Sequence, residues 1–292
     1  MEFDGGFLDD PCEQLFPPGE VPFPPEGIGD AGTDIDAGYH CYFYGPCNDY
    51  CPPSYYFCCG PGLTDAGAEV LYCVHPCGTA GRKPGGLEAA QVKGRCAVGN
   101  YFAATAHLEA ASVDAFSQLA AELSRHRAPQ HLVRAAKRAG RDEVRHARTL
   151  AALARHHGGV VPQVCVRPIP PRSLEELAIE NAVEGCVRET FSALVATWQA
   201  RAAQPPAVCR AFAGIAKDET RHADLAWAID GWARSRISNR ARKHVDEQRT
   251  LAVQTLAGEI AEPSRSLRLG AGLPTAARAR HFIASASATI WQ

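Results

Sequence analysis

The stretch Asp142-Glu143-Val144-Arg145-His146-Ala147 recurs as Asp218-Glu219-Thr220-Arg221-His222-Ala223, the same Asp-Glu-x-Arg-His-Ala pattern 76 residues later. Both copies sit in long Ala/Leu/Val runs with helical spacing and Arg or Glu on the opposite face, so both read as helix. Residues three apart share one helical face, and within each copy the Glu and the His can approach a single metal ion. The preceding helices repeat too. Glu109-Ala-Ala-Ser-Val-Asp-Ala-Phe116-Ser117-Gln-Leu119 aligns with Glu184-Gly-Cys-Val-Arg-Glu-Thr-Phe191-Ser192-Ala-Leu194 at an offset of 75. The pattern is that of a duplicated helical hairpin, each copy supplying a Glu and then Glu-x-x-His.

Stop signals set the limits of these helices, expected at about 98–126, 129–157, 173–203 and 206–235. Pro129 follows the first, Gly158-Gly159 the second, and Pro205-Pro206 separate the third from the fourth. A fifth helix is expected from about Asn239 to Ile260 and a shorter one near Trp291. Short turns make each pair an antiparallel hairpin. The link between the pairs is about 15 residues and contains Pro162, Pro168, Pro170 and Pro171. Extended, it reaches roughly 50 Å, whereas a 28-residue helix is about 42 Å long. It can therefore cross back along the whole bundle.

In an antiparallel hairpin, residues equidistant from the turn lie at one height. Reflecting 109 about a turn near 127.5 gives 146; reflecting 184 about a turn near 204 gives 224, two residues from His222. Four carboxylates and two imidazoles would converge at one level, and four buried carboxylates cannot all be charged without cations. Oxygen and imidazole ligands suit iron or manganese.

Glu, Glu-x-x-His, Glu, Glu-x-x-His on four successive helices resembles the ferritin-like di-iron (or di-manganese) carboxylate proteins, with a rubrerythrin-like ligand pattern, over roughly 100–235. The resemblance implies an all-α fold: a ferritin-like four-helix bundle with a long crossover between the second and third helices. It implies metal ligation by Glu109, Glu143, His146, Glu184, Glu219 and His222. Two Fe ions, or Mn, would be the cofactor, O2 or peroxide and a small-molecule substrate the partners, and oxidoreductase chemistry the activity. The reaction type is left open among oxygenase, ferroxidase and peroxidase. Against it stands a non-catalytic exported protein whose bundle stores or binds metal. Asp142 and Asp218 are candidates to accept a hydrogen bond from the other hairpin's histidine, or else to pair with a nearby Arg at the surface. Glu180, one turn before Glu184, is an additional or replacement ligand, while Arg188, one turn after, could hold Glu184 in a salt bridge. Phe116 and Phe191 read as core packing.

The net charge of −2 over 292 residues hides a division. Residues 1–81 carry 13 acidic and no basic residues, and the rest holds 30 basic and 19 acidic, a balance of +11. The chain reads as an acidic Pro/Gly-rich low-order segment (1–38), a Cys/Tyr-rich segment (39–97), the bundle (98–235) and additional C-terminal helices (236–292). Cys41, Cys47, Cys51, Cys58, Cys59, Cys73, Cys77 and Cys96 contain no Cys-x2-Cys pair and read as a disulfide framework rather than a metal knuckle. That places the protein outside the reducing cytosol, in the periplasm, cell envelope or medium. The start lacks the basic and apolar stretches of a secretory signal, which conflicts with the cysteines unless the start is incomplete or the export route unrecognised. No apolar run approaches the ~20 residues of a membrane-spanning helix. Overall charge does not suggest a nucleic-acid binder, and a homo-oligomer is left open.

Overall fold

The computed structural model describes residues 57–63, 69–74, 81–88, 90, 92–94 and 96–291. The segment expected to be of low order, 1–38, and Cys41, Cys47, Cys51 and Cys77 lie outside them. The described chain is mostly helical. Strands β1 (Phe57–Leu63) and β2 (Glu69–Val74) form an antiparallel pair that sets Cys58 opposite Cys73 and Cys59 opposite Tyr72. Two short strands, β3 (Lys93–Gly94) and β4 (Gly159–Val160), pair antiparallel beside the helices.

Helix α1 (Ala97–Arg125) begins where the Cys96 side chain accepts from the Gly99 amide, and α2 (Gln130–His156) packs back along it. The third helix opens on a capping box between Ser173 and Glu176, which satisfies two otherwise orphaned amides. It runs as α3 (Leu174–Glu180), a nine-residue π-helical segment (Asn181–Glu189) and α4 (Thr190–Ala202). After Pro205, α5 (Pro206–Arg234) returns along α4. Then come α6 (Asn239–Gly258), α7 (Arg265–Gly270) and α8 (Ala276–Thr289), so two short helices stand where one was expected.

The link between α2 and α3 travels the length of α1. Gly159 packs on the Gly99 backbone at the start of α1, Pro162 offers its carbonyl 3.2 Å from His107 Nδ1, and the Arg172 carbonyl lies 2.9 Å from His126 Nε2 at the far end. A salt bridge from Arg172 to Glu122 (2.7 Å) pins that end. The third helix therefore starts beside the α1–α2 turn and runs parallel to α2, and α5 runs antiparallel to α2. The core is apolar above and below one polar level. Phe102, Phe191 and Phe212 belong to one cluster and Phe116, Leu119 and Ile229 to another, so Phe116 and Phe191 are packing residues.

The π segment is held by its neighbours. Asn181 donates to the Ala226 carbonyl at 2.9 Å, and Trp291 Nε1 donates to the Cys186 carbonyl at 2.8 Å. The first bond fixes a side chain at the start of the segment, and the second gives a carbonyl of its backbone a partner from outside the helix. Arg188 reaches Glu259 with both terminal nitrogens (3.1 and 3.0 Å), tying the same segment to the end of α6. Cys165, Cys186 and Cys209 are free thiols, so none of them partners an N-terminal cysteine. No helix among the described residues is long and apolar enough to cross a membrane.

Candidate metal centre

At the polar level α1 contributes Glu109, α2 Glu143 and His146, and α5 Glu219 and His222, none more than 2% exposed. One ligand atom each from Glu109, Glu143, His146 and Glu219 lies within 4.8 Å of the others, a buried cluster that can hold a metal ion. His146 Nδ1 is 3.4 Å from Glu109, 3.6 Å from Glu143 and 3.5 Å from Glu219. His222 Nδ1 is 3.1 Å from Glu143 and 3.4 Å from Glu219. These contacts are close but lack hydrogen-bond geometry: both oxygens of Glu109, Glu143 and Glu219, and both Nδ1 atoms, have no hydrogen-bond partner. Buried polar groups are almost always paired. A set of unpaired acceptors converging on one point is the arrangement a cation satisfies.

The electrostatics agree. Burial, then the neighbouring Glu143, push the Glu109 carboxyl well above its ordinary value. Burial works to raise Glu143 as well, but Glu109 and the two histidines outweigh it and hold it low. Burial would lower His146, yet Glu109 and Glu143 push it up to about 11. His222 is likewise raised against burial, by Asp142, Glu143 and Glu219. Excess negative charge thus pulls protons onto imidazoles that would otherwise be neutral, and a divalent ion supplies the same compensation.

Behind each imidazole stands an aspartate of the opposite hairpin. His146 Nε2 is 3.0 Å from Asp218 Oδ2, and His222 Nε2 is 3.5 Å from Asp142 Oδ2. With Nε2 engaged there, Nδ1 is left facing the carboxylates. The arginine alternative is present too. Arg145 bridges Asp142 (2.7 Å) and Asp218 (3.0 Å), and Arg221 bridges the same two, so the aspartates take both kinds of partner.

The third helix departs from the sequence expectation. Glu184 is not brought to the cluster: it lies 3.7 Å from Arg188 Nε and accepts from the Lys83 amide at 3.2 Å. Glu180 is not there either, being paired with Arg82 (2.7 Å) and Arg172 (3.1 Å). Glu189 turns inward instead. It is buried, both its oxygens lack partners, and it feels the charges of His222, Glu219 and Glu143. Burial chiefly, then Glu219 and Glu143 against the opposing Arg82 and His222, push it up to about 8. The physical reason is the π segment. Each π turn takes up an extra residue, which rotates the residues along it and defeats a residue-by-residue alignment with the regular helix that carries Glu109.

Comparison with known proteins returns no match to a family model, a curated protein sequence or a solved structure.

The signal for Glu189 is nonetheless present in the chain. Reflecting Glu219 about the turn near 204 gives 189, and Glu109-x-x-Ser112 matches Glu189-x-x-Ser192, with both serines buried. A second feature has no sequence signal at all. Residues Gly81–Lys83 form a strap across the site. A Cβ on Gly81 would fall 3.0 and 3.1 Å from the Glu143 oxygens and 2.8 Å from Ser112 Oγ, so the strap backbone lies directly on a cluster carboxylate. Glu180 and Glu184 are its anchors, through Arg82 and the Lys83 amide.

Proposed function

We propose that the chain is a dimetal carboxylate protein of ferritin-like architecture. Its ligands would be Glu109, Glu143, His146, Glu189, Glu219 and His222, and its activity an oxidoreductase one with O2 or peroxide. The observation that carries this reading is the convergence of eight unpartnered buried ligand atoms from five side chains on α1, α2 and α5, to which the buried and equally unpartnered Glu189 of the remaining long helix is added. The link along α1 supports the architecture, since it is the long crossover that such bundles use. Carboxylate and imidazole donors suit iron, with manganese the alternative. Two such ions would supply the electrons for reduction of O2 or peroxide. The chain's own part is to place four carboxylates at fixed positions, hold both imidazoles by their Nε2 atoms, and exclude water with the strap and the phenylalanine layers. The cysteine pattern supports an extracytoplasmic location.

One observation favours a second reading, a non-catalytic exported metal-binding protein: the Gly81 backbone packs against Glu143 and closes that side of the cluster. The two are separated by loading the full-length protein anaerobically with Fe(II) and monitoring O2 uptake. The oxidoreductase reading expects uptake that is abolished in Glu143→Ala plus Glu219→Ala. Two bound ions without O2 uptake would favour the second reading. Less than one ion per chain under saturating iron, unchanged by the double variant, would overturn both.

A further inference from the structure

The two halves of the site are not alike. Glu109, Glu143, His146 and Glu219 are already gathered within one ion's reach, whereas Glu189 lies outside that group, on the segment whose Asn181 and Gly185 adjoin a fixed cation. That cation is Arg82, 1% exposed. Its Nε and Nη2 reach Glu180 at 2.8 and 2.7 Å, and Nη2 also reaches Asn181 at 3.1 Å. Its guanidinium lies over the Phe116 ring, whose other neighbour is His222. Three bonds and a ring contact keep it in place, and the absence of a side chain on Gly185 makes room for it. A Cβ there would stand 3.3 Å from Nη1 and 2.6 Å from the Ala226 Cβ. Nη1 alone has no partner, and neither oxygen of Glu189, four residues beyond Gly185 on the same segment, has one. An unpaired buried donor and an unpaired buried acceptor of opposite charge on one segment attract each other at this range.

We propose that Arg82 is a positioning residue that makes the two metal positions unequal. Its free Nη1 competes with the metal for the Glu189 carboxylate. The ion held by Glu189, Glu219 and His222 therefore binds second and more weakly than the ion held by Glu109, Glu143 and His146. This rests on the dimetal reading and adds an order of filling to it. Direct repulsion between the guanidinium and the second ion acts in the same direction.

Titration of the full-length protein with Co(II), monitored by absorption and by metal content, tests it. Two steps are expected, the second at least about tenfold weaker. Arg82→Gln should tighten the second step by about tenfold and leave the first within about twofold. Glu189→Gln should retain only the first step, and adding Arg82→Gln to it should change that step no further. If Arg82→Gln does not fold, Arg82→Lys carries the test. It keeps the charge but lacks the Nη1 arm, and should tighten the second step by a smaller factor of about three. Equal affinity of both ions in the unaltered protein would overturn the proposal. So would an unchanged second step in the foldable Arg82 variant, or an equal effect of Arg82→Gln with and without Glu189, which would leave Arg82 merely structural. No cobalt uptake at all would overturn the dimetal reading itself.

Discussion

Under the proposed dimetal reading, Glu189→Ala should cost the protein one of two metal ions, while Glu184→Ala should leave both bound. Both glutamates lie within one nine-residue segment, so the contrast isolates position from composition. Glu189 is buried with both oxygens unpartnered, and in the proposed site its loss removes a direct ligand. Loss of a residue that merely supports a ligand already weakens metal binding by about 10–100-fold, so loss of the ligand itself should weaken the second ion by at least about 100-fold. Glu184 contributes only a contact with Arg188 and an acceptor for the Lys83 amide, and its removal should shift stability by no more than about 1 kcal/mol. Stability moves the other way for Glu189. Without metal, above about pH 8 the unpartnered carboxyl becomes a buried charge, so Glu189→Gln, which cannot ionise, should there unfold at higher temperature than the unaltered protein in the presence of chelator. Higher stability joined to weaker binding is the signature of a residue kept for its site. Metal content and thermal unfolding of the variants read both effects. Equal metal loss in Glu184→Ala and Glu189→Ala would remove the assignment.

Stability without metal should fall as pH rises, and stability with metal should rise over the same range. The folded chain holds the Glu189 proton up to about 8, while the unfolded chain releases it near 4.5, so between those values the unfolded state binds fewer protons and gains on the folded state. His146 acts in the same direction. Its contribution is complete below 6.5 and is lost as pH climbs through about 11. Asp142 and Asp218, both held low against burial by a histidine and an arginine partner, contribute above 3.8 and lose that contribution in acid, below this window. The sum for the chelated protein is a decline of several kcal/mol from about pH 5 to 9. A metal ion replaces the protons, and its binding strengthens as they leave, so the loaded protein should gain over about pH 5 to 8. Urea unfolding at several pH values, with chelator and with excess metal, should give profiles of opposite slope. Parallel profiles would contradict the cation requirement of the cluster.

The helices and five residues of the cluster are legible in the sequence because their signals are local and duplicated. Glu143 and His146 repeat as Glu219 and His222 at the same spacing, and hairpin reflection brings Glu109 to their height. Glu189 escapes that reading for a reason equally physical: aligning Glu109 with Glu184 assumes the same residues per turn in both helices, and the π segment Asn181–Glu189 breaks that assumption. The bonds that hold the segment come from Ala226 and Trp291, far along the chain, and no local pattern announces them. The strap is illegible in the same way. Gly81 and Arg82 fall at the boundary between the acidic and the basic parts of the chain, where composition suggests a junction between modules. That junction crosses the cluster itself, with the Gly81 backbone against Glu143.

The proposed function requires two ions between the Glu-x-x-His pairs, with Glu189 as the ligand from the third helix. Anomalous diffraction from a crystal of the protein loaded with iron or manganese tests it most directly. Two peaks about 3.5–4 Å apart, flanked by His146 and His222 and with Glu189 in contact with one of them, are the predicted result. A single peak, or two peaks with Glu184 in contact and Glu189 turned away, would contradict it.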